Sequence, residues 1–128
     1  LQWDDHEVVN NWSDSKDLSG DARYGEKRVP TLITRATKAF LDYAPMRWQD
    51  QEESERVYRH IPYGPDLDVF VIDMRSYRGP NTHNLQPQAG DDTRFLGRTQ
   101  IEWLKRGLDA SRATWKVIAA DMPIGLKP

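Results

Sequence analysis

The segment 67–74, LDVFVIDM, constrains this fold more than any other feature. Its Val/Phe/Val/Ile run has strand length, and its lack of alternation predicts a strand covered on both faces, as in a sheet between two layers. A second such run, TWKVIAA at 114–120, lies downstream. Between them, residues 96–110 place Ile101, Leu104 and Leu108 on one helical stripe with Trp103 beside it, and Ser111-Arg112-Ala113 ends the helix. Strand, helix and strand in this order make a βαβ unit, so the two strands are expected to run parallel with a right-handed crossover. The fold class is therefore α/β, although half of the usual sheet is not visible.

The upstream half is more broken. Residues 13–30 are rich in Ser, Asp, Gly and Lys and read as a surface loop ending at Pro30. From Thr31, Leu32, Ile33, Ala36, Ala39, Phe40 and Tyr43 recur at helical spacing until Pro45 stops the helix. An acidic connection, 49–55, leads to a β-prone stretch at 57–61 and a Tyr63-Gly64-Pro65-Asp66 turn, and residues 79–94 form a long Gly/Pro/Asn/Gln loop.

Composition limits what such elements can build. Of 128 residues, 38% are hydrophobic and 30% charged, so the expected core is small and leans on five Trp and five Tyr. Trp103 and Trp115 are expected within it. Eighteen basic and 20 acidic residues are mixed along the chain, with no Lys/Arg block to mark a nucleic-acid surface. With no Cys, thiol nucleophiles and zinc-thiolate sites are excluded, and any metal must be held by oxygen and imidazole. No apolar run reaches membrane-spanning length. A dense ionisable cluster lies within a few residues of Leu1, which reads as a sequence cut from something longer.

That cluster, Asp4-Asp5-His6-Glu7 followed by Asn10 and Asn11, is the one dense set of potential metal ligands. Adjacent carboxylates and an imidazole suit hard cations, and amides can orient a phosphate. Metal-assisted phosphoester cleavage uses such groups: a cation offsets charge and activates water, while imidazole protonates the leaving oxygen. From residue types alone, an acidic run beside Trp3 is more often a solvated loop or a helix cap.

WDDHEVVNNW at 3–12 closely resembles the metal-site signature of the PhoD-like phosphatases, a branch near the calcineurin-like metallophosphoesterases. DYAPMR at 42–47, YRHIPYGPDLDVFVIDMRSYR at 58–78 and LGRTQIEWLKRGLDASRATWKVIAADMP at 96–123 resemble later blocks of the same family, in the same order. The resemblance implies a partial catalytic domain over 1–128, part of a metallophosphoesterase-type α/β sandwich. It implies Asp5, with Asp4, as metal ligands and His6 as the group assisting the leaving oxygen. Asn11 and Asn10 would face the substrate phosphate, and Arg47 and Arg75 lie in matching blocks where a guanidinium could grip it. Calcium and iron, or another divalent cation, are the implied cofactors, and the implied protein is secreted or periplasmic.

Other residues have structural readings. Asp73 and Arg75 could form an ion pair at a strand end, Arg59 and Arg78 read as surface or supporting groups, and His60 and His83 as structural or solvated. The family's remaining metal ligands lie in motifs before the DDHE block and after the last strand, and neither is found here. The 128-residue chain by itself is therefore expected to be inactive and to bind metal weakly. Two alternatives stay open: a non-catalytic remnant or interaction domain of the same fold, and a DHH-type phosphoesterase, which the order Asp-Asp-His-Glu disfavours.

Overall fold

A computed structural model describes residues 1–46, 56–83 and 85–123. Strand β2, Leu67–Val71, is the middle of a three-stranded sheet with β1, Arg59–Tyr63, on one side and β3, Trp115–Ala119, on the other. β1 pairs antiparallel to β2, from Arg59 opposite Val71 to Tyr63 opposite Leu67. β3 pairs parallel to β2, Leu67 opposite Trp115 and Val71 opposite Ala119, as a βαβ unit requires. The Ile72 N–H continues this ladder onto the Ala119 carbonyl at 3.0 Å. Parallel pairing in this register sends residues 72–75 and residues 120–121 off the same edge of the sheet, where α/β proteins place their ligands.

Boundaries moved for identifiable reasons. β1 begins two residues later than the β-prone run, because Val57 and Tyr58 turn inward and are buried instead. Pro62 sits within it, which an edge strand tolerates. β2 ends at Val71, but the apolar run remains buried beyond it, with Ile72 and Met74 only 1% and 2% exposed.

β3 is the main correction. It was expected to be buried, yet Trp115, Val117 and Ile118 are exposed, Trp115 by 70%. Helix α2, Arg98–Ala110, lays its weight on β2: the Trp103 ring meets Phe70 edge-on at 6.1 Å, and a Cβ on Gly107 would lie 2.7 Å from the Phe70 ring. Among the described residues β3 is paired along one edge only. Trp103 keeps its expected packing role, half-buried against Tyr58 at 4.8 Å.

Helix α1, Val29–Tyr43, begins earlier than Thr31 because Pro30 fits the first turn, where its missing N–H costs nothing. It ends before Pro45, as expected. Leu32, Ile33, Ala36 and Phe40 pack on a cluster of Trp3, Val9, Trp12, Leu18, Val29 and Val57, while Ala39 and Tyr43 face water. Trp3 touches Phe40 and Trp12 edge-on, with centroids at 5.2 and 6.3 Å. Fully burying such rings contributes on the order of 2–3 kcal/mol each. The DDHE segment is therefore clamped to a core by its flanking tryptophans, and is not a loose loop.

Candidate functional site

The chain between Trp3 and Trp12 folds into a tight turn around Asp5. The Asp5 carboxylate, largely buried, accepts the Asn11 backbone N–H at 2.5 Å, and its carbonyl accepts the Val8 N–H at 3.0 Å. Asp4 donates its backbone N–H to the Glu7 carboxylate at 2.7 Å. Asn11 holds φ at +48°, a left-handed value that Asn tolerates better than most residues. Burial pushes the Asp5 carboxyl up, but the Asn11 N–H, the Arg75 guanidinium and His6 outweigh it, and the net shift is downward.

Arg75 is the hub. It leaves the sheet just past β2, its side chain is only 5% exposed, and it reaches back to the N-terminal turn. Nε and Nη2 donate to one Asp4 carboxylate oxygen at 3.2 and 3.1 Å, and Nη1 donates to the Asn11 side-chain oxygen at 3.2 Å. Asp5 Oδ2 lies 3.7 Å from Nη2. The backbone that aims this guanidinium is fixed from behind. Asp73 Oδ1 accepts the N–H groups of Arg75 and Ser76, both at 2.9 Å, closing the strand-end turn. Gln100, wholly buried on α2, accepts the Asp73 N–H at 2.7 Å and donates to the Asp73 carbonyl at 2.8 Å.

A third carboxylate reaches the guanidinium from just past the end of β3. The Asp121 side chain is 1% exposed and places Oδ2 3.6 Å from Arg75 Nε, too far for a good hydrogen bond. Neither of its oxygens has a hydrogen bond of normal geometry among the described residues. Burial, reinforced by the nearby Asp4 carboxyl, pushes Asp121 up to about 7. Asp121 was not singled out from sequence. The available signal was its place after the second strand of a parallel pair, where α/β sites gather.

The structure thus brings Asp4, Asp5, Asn11 and Arg75 together. His6 flanks them, its Nε2 3.7 Å from Asp5 Oδ1 and its side chain mostly in water. Asn10 is exposed, and its backbone carbonyl accepts Lys16 Nζ at 2.5 Å. Arg47 lies outside the described residues. Arg59 is not a surface group: it is buried, donating to the carbonyls of Val57 and Leu1. Arg78 is half-buried over the Phe95 ring. His60 is structural, stacked on Phe70 at 4.6 Å with Nε2 2.9 Å from Asp68 Oδ1, and His83 is exposed.

The donor chemistry suits a hard cation in part. Asp4, Asp5 and Asp121 supply carboxylate oxygens, and the two buried oxygens of Asp121 are the kind a cation would satisfy. Among the described residues, however, no three His, Asp or Glu side chains are grouped as a metal cage. The Arg75 guanidinium lies among these carboxylates. No helix among the described residues is long and apolar enough to cross a membrane.

Relatives of known identity share this arrangement of sequence and fold. Alkaline phosphatase D of Bacillus subtilis (strain 168) is 30% identical over 130 residues, covering 93% of this chain and 21% of that protein. A solved structure described as the structure of PhoD superposes with a TM-score of 0.64 at 29% identity, covering 91% of this chain and 23% of that one. The chain thus spans about a fifth of the curated relative it matches. A family described as PhoD-like phosphatase matches residues 1–127, and the chain belongs to that family.

Proposed function

We propose that this chain supplies one portion of the reaction centre of a metal-dependent phosphoric-ester hydrolase acting on small phosphomonoesters or phosphodiesters, in an exported protein. The observation that carries this reading is the convergence of the DDHE turn with two parallel strand ends on one nearly buried guanidinium. Asp4 and Asp5 would hold the cation, calcium and iron in the reading the family suggests, or another divalent ion. Bound there, it would offset phosphate charge and lower the pKa of the attacking water.

The chain's own groups have distinct tasks. Arg75 presents a fork that matches two phosphate oxygens, and Asn11, with Asn10 and Arg47, would orient the remaining ones. In the present arrangement the fork is turned on Asp4, which is 41% exposed, so an entering phosphate exchanges one oxygen acceptor for another. His6, mostly in water with its Nε2 3.7 Å from Asp5 Oδ1, would give a proton to the departing oxygen.

A second reading, a scaffold without catalysis, is favoured by the lack of a three-ligand cage among the described residues. Replacing the matching segment of the Bacillus subtilis alkaline phosphatase D by this chain separates the two. The hybrid, loaded with calcium and iron, is expected to hydrolyse p-nitrophenyl phosphate or its diester, and Asp5→Asn to abolish this. A folded, metal-loaded hybrid that turns over neither substrate would refute the hydrolase reading.

A further inference from the structure

A second concave site lies outside the carboxylate cluster. Ser76, Arg78, Arg94, Arg98 and Thr99 line a cavity of about 350 Å³, with the exposed Asp14 also on its wall. Three guanidiniums meet here around the start of α2, a 13-residue helix. That start is electrostatically at odds with itself. Its first residue is Arg98, its first turn holds no acidic side chain, and Gly97 at the N-cap offers no side-chain acceptor. The positive end of a helix favours anions, and a cation there is destabilising unless something balances it.

The arginines have little to balance them. Arg94 Nη1 approaches Asp91 at 3.6 Å, but Asp91 is 95% exposed, and such pairs contribute little. Arg98 makes no ion pair among the described residues. Arg78 has its Nε buried with no hydrogen-bond partner among the described residues, and its guanidinium lies 5.3 Å from the Phe95 centroid. Burial and the charge of Arg75 lower its affinity for a proton, with Asp121 opposing.

The walls are held in place. The Gly79 N–H donates to the Arg94 carbonyl at 2.7 Å, tying the Arg78 loop to the Arg94 loop. Gly97 has φ +74°, and a Cβ there would lie 2.8 Å from Tyr77 Cβ, so only glycine lets these segments meet.

We propose that this cavity binds a tetrahedral oxyanion of the phosphate class. Fork-shaped donors from Arg78, Arg94 and Arg98, hydroxyls from Ser76 and Thr99, and the free N–H groups of the first turn of α2 supply its contacts. The site does not require the carboxylate cluster. The shared chemistry has two sources, free inorganic phosphate or the terminal phosphoryl group of a larger molecule.

The test is a titration of the 15N-labelled chain at constant ionic strength, with inorganic phosphate in one arm and glycerol 3-phosphate in the other. Saturable shifts at the Thr99 and Gln100 amides and at Arg78 Nε–H are expected, and the arm that saturates first identifies the source. Arg94→Ala/Arg98→Ala should weaken binding about tenfold or more, and Arg94→Lys/Arg98→Lys should restore part of it. The exposed Arg35→Ala on α1 should leave it unchanged. Shifts confined to Asn11 and Arg75, shifts reproduced by chloride, or an unweakened double variant would overturn the proposal. Loss of turnover in the hybrid enzyme would leave these shifts standing, and their absence would leave turnover standing, so the two readings fail separately.

Discussion

Replacing Gln100 by Met tests whether the strand end that carries Arg75 is held by one buried amide. Gln100 is 0% exposed and makes three hydrogen bonds: from the Asp73 N–H, to the Asp73 carbonyl, and to the Leu96 carbonyl at 2.8 Å. Met fills nearly the same space, so no cavity enters the balance. The buried Asp73 N–H and carbonyl would each lose the hydrogen bond that Gln100 supplies, at about 1–3 kcal/mol each, while the Leu96 carbonyl, nearer the surface, costs less. The apolar thioether returns roughly 1 kcal/mol through better transfer from water. The expected net loss is about 3 kcal/mol.

Urea unfolding followed by tryptophan fluorescence reads this directly. With a slope of about 2 kcal/mol/M, the midpoint should fall by roughly 1.5 M. Gln100→Glu should fare no better, since it keeps an acceptor for the Asp73 N–H but loses both donors and buries a charge. A Gln100→Met midpoint within about 0.5 M of the parent's, roughly 1 kcal/mol, would show that Asp73 is positioned by something else.

Four further outcomes follow from the same geometry. Arg75→Met leaves Asp4, Asp5 and Asp121 without their shared cation and should cost about 2–3 kcal/mol in urea unfolding at neutral pH, toward the low end because Asp4 is partly solvated; no change would remove Arg75 as the hub. Ser111 and then His60 hold the Asp68 carboxyl below its ordinary 3.8, so its stabilisation is present above that value and lost as pH falls through the lower folded one. Asp68→Asn should flatten that part of the acid unfolding curve, and an unchanged curve would dismiss the pairing. The exposed Trp115, Val117 and Ile118 on β3 predict concentration-dependent self-association in sedimentation, reduced by Val117→Lys; a monomer at all concentrations would contradict this. The chain alone, with calcium and iron added, should give no turnover of p-nitrophenyl phosphate and only weak metal binding by calorimetry, and robust activity would overturn the view that its cation site is incomplete.

The legible part of the fold was the part written in local pattern. The run from Leu67 to Met74, the stripe on 96–110 and the run from Thr114 to Ala120 led to the parallel β2–β3 pair because apolar periodicity and order fix a βαβ unit with little help from elsewhere. The exposure of β3 was not legible, because an apolar run records what a strand is suited to, whereas burial depends on which elements lie over it. The site divides in the same way. Asp4, Asp5 and Asn11 stood out as a local cluster, and their meeting with Arg75 joins residues 64 to 71 positions apart. Gln100 gave no signal, since a lone amide in a helical stripe reads as a surface residue until the strand end it clamps is known.

Charge balance ties these pieces into one expectation about how the site works. Asp4, Asp5 and Asp121 face a single guanidinium, and Asp121 gains least from it, at 3.6 Å from Nε with neither oxygen in a good hydrogen bond. Its carboxyl is pushed up to about 7 because burial and Asp4 oppose its ionisation more than Arg75 supports it. An added cation near Asp121 and Asp4 would meet the unsatisfied negative charge and free Arg75 from Asp4. The guanidinium would then be available to an incoming anion, without any change in the Gln100–Asp73 latch that aims it. If the proposed function holds, occupation of the carboxylates and capture of a phosphate by Arg75 would be coupled through Asp4, and a substitution that loosens Asp4 from Arg75 should strengthen anion binding there while weakening the fold.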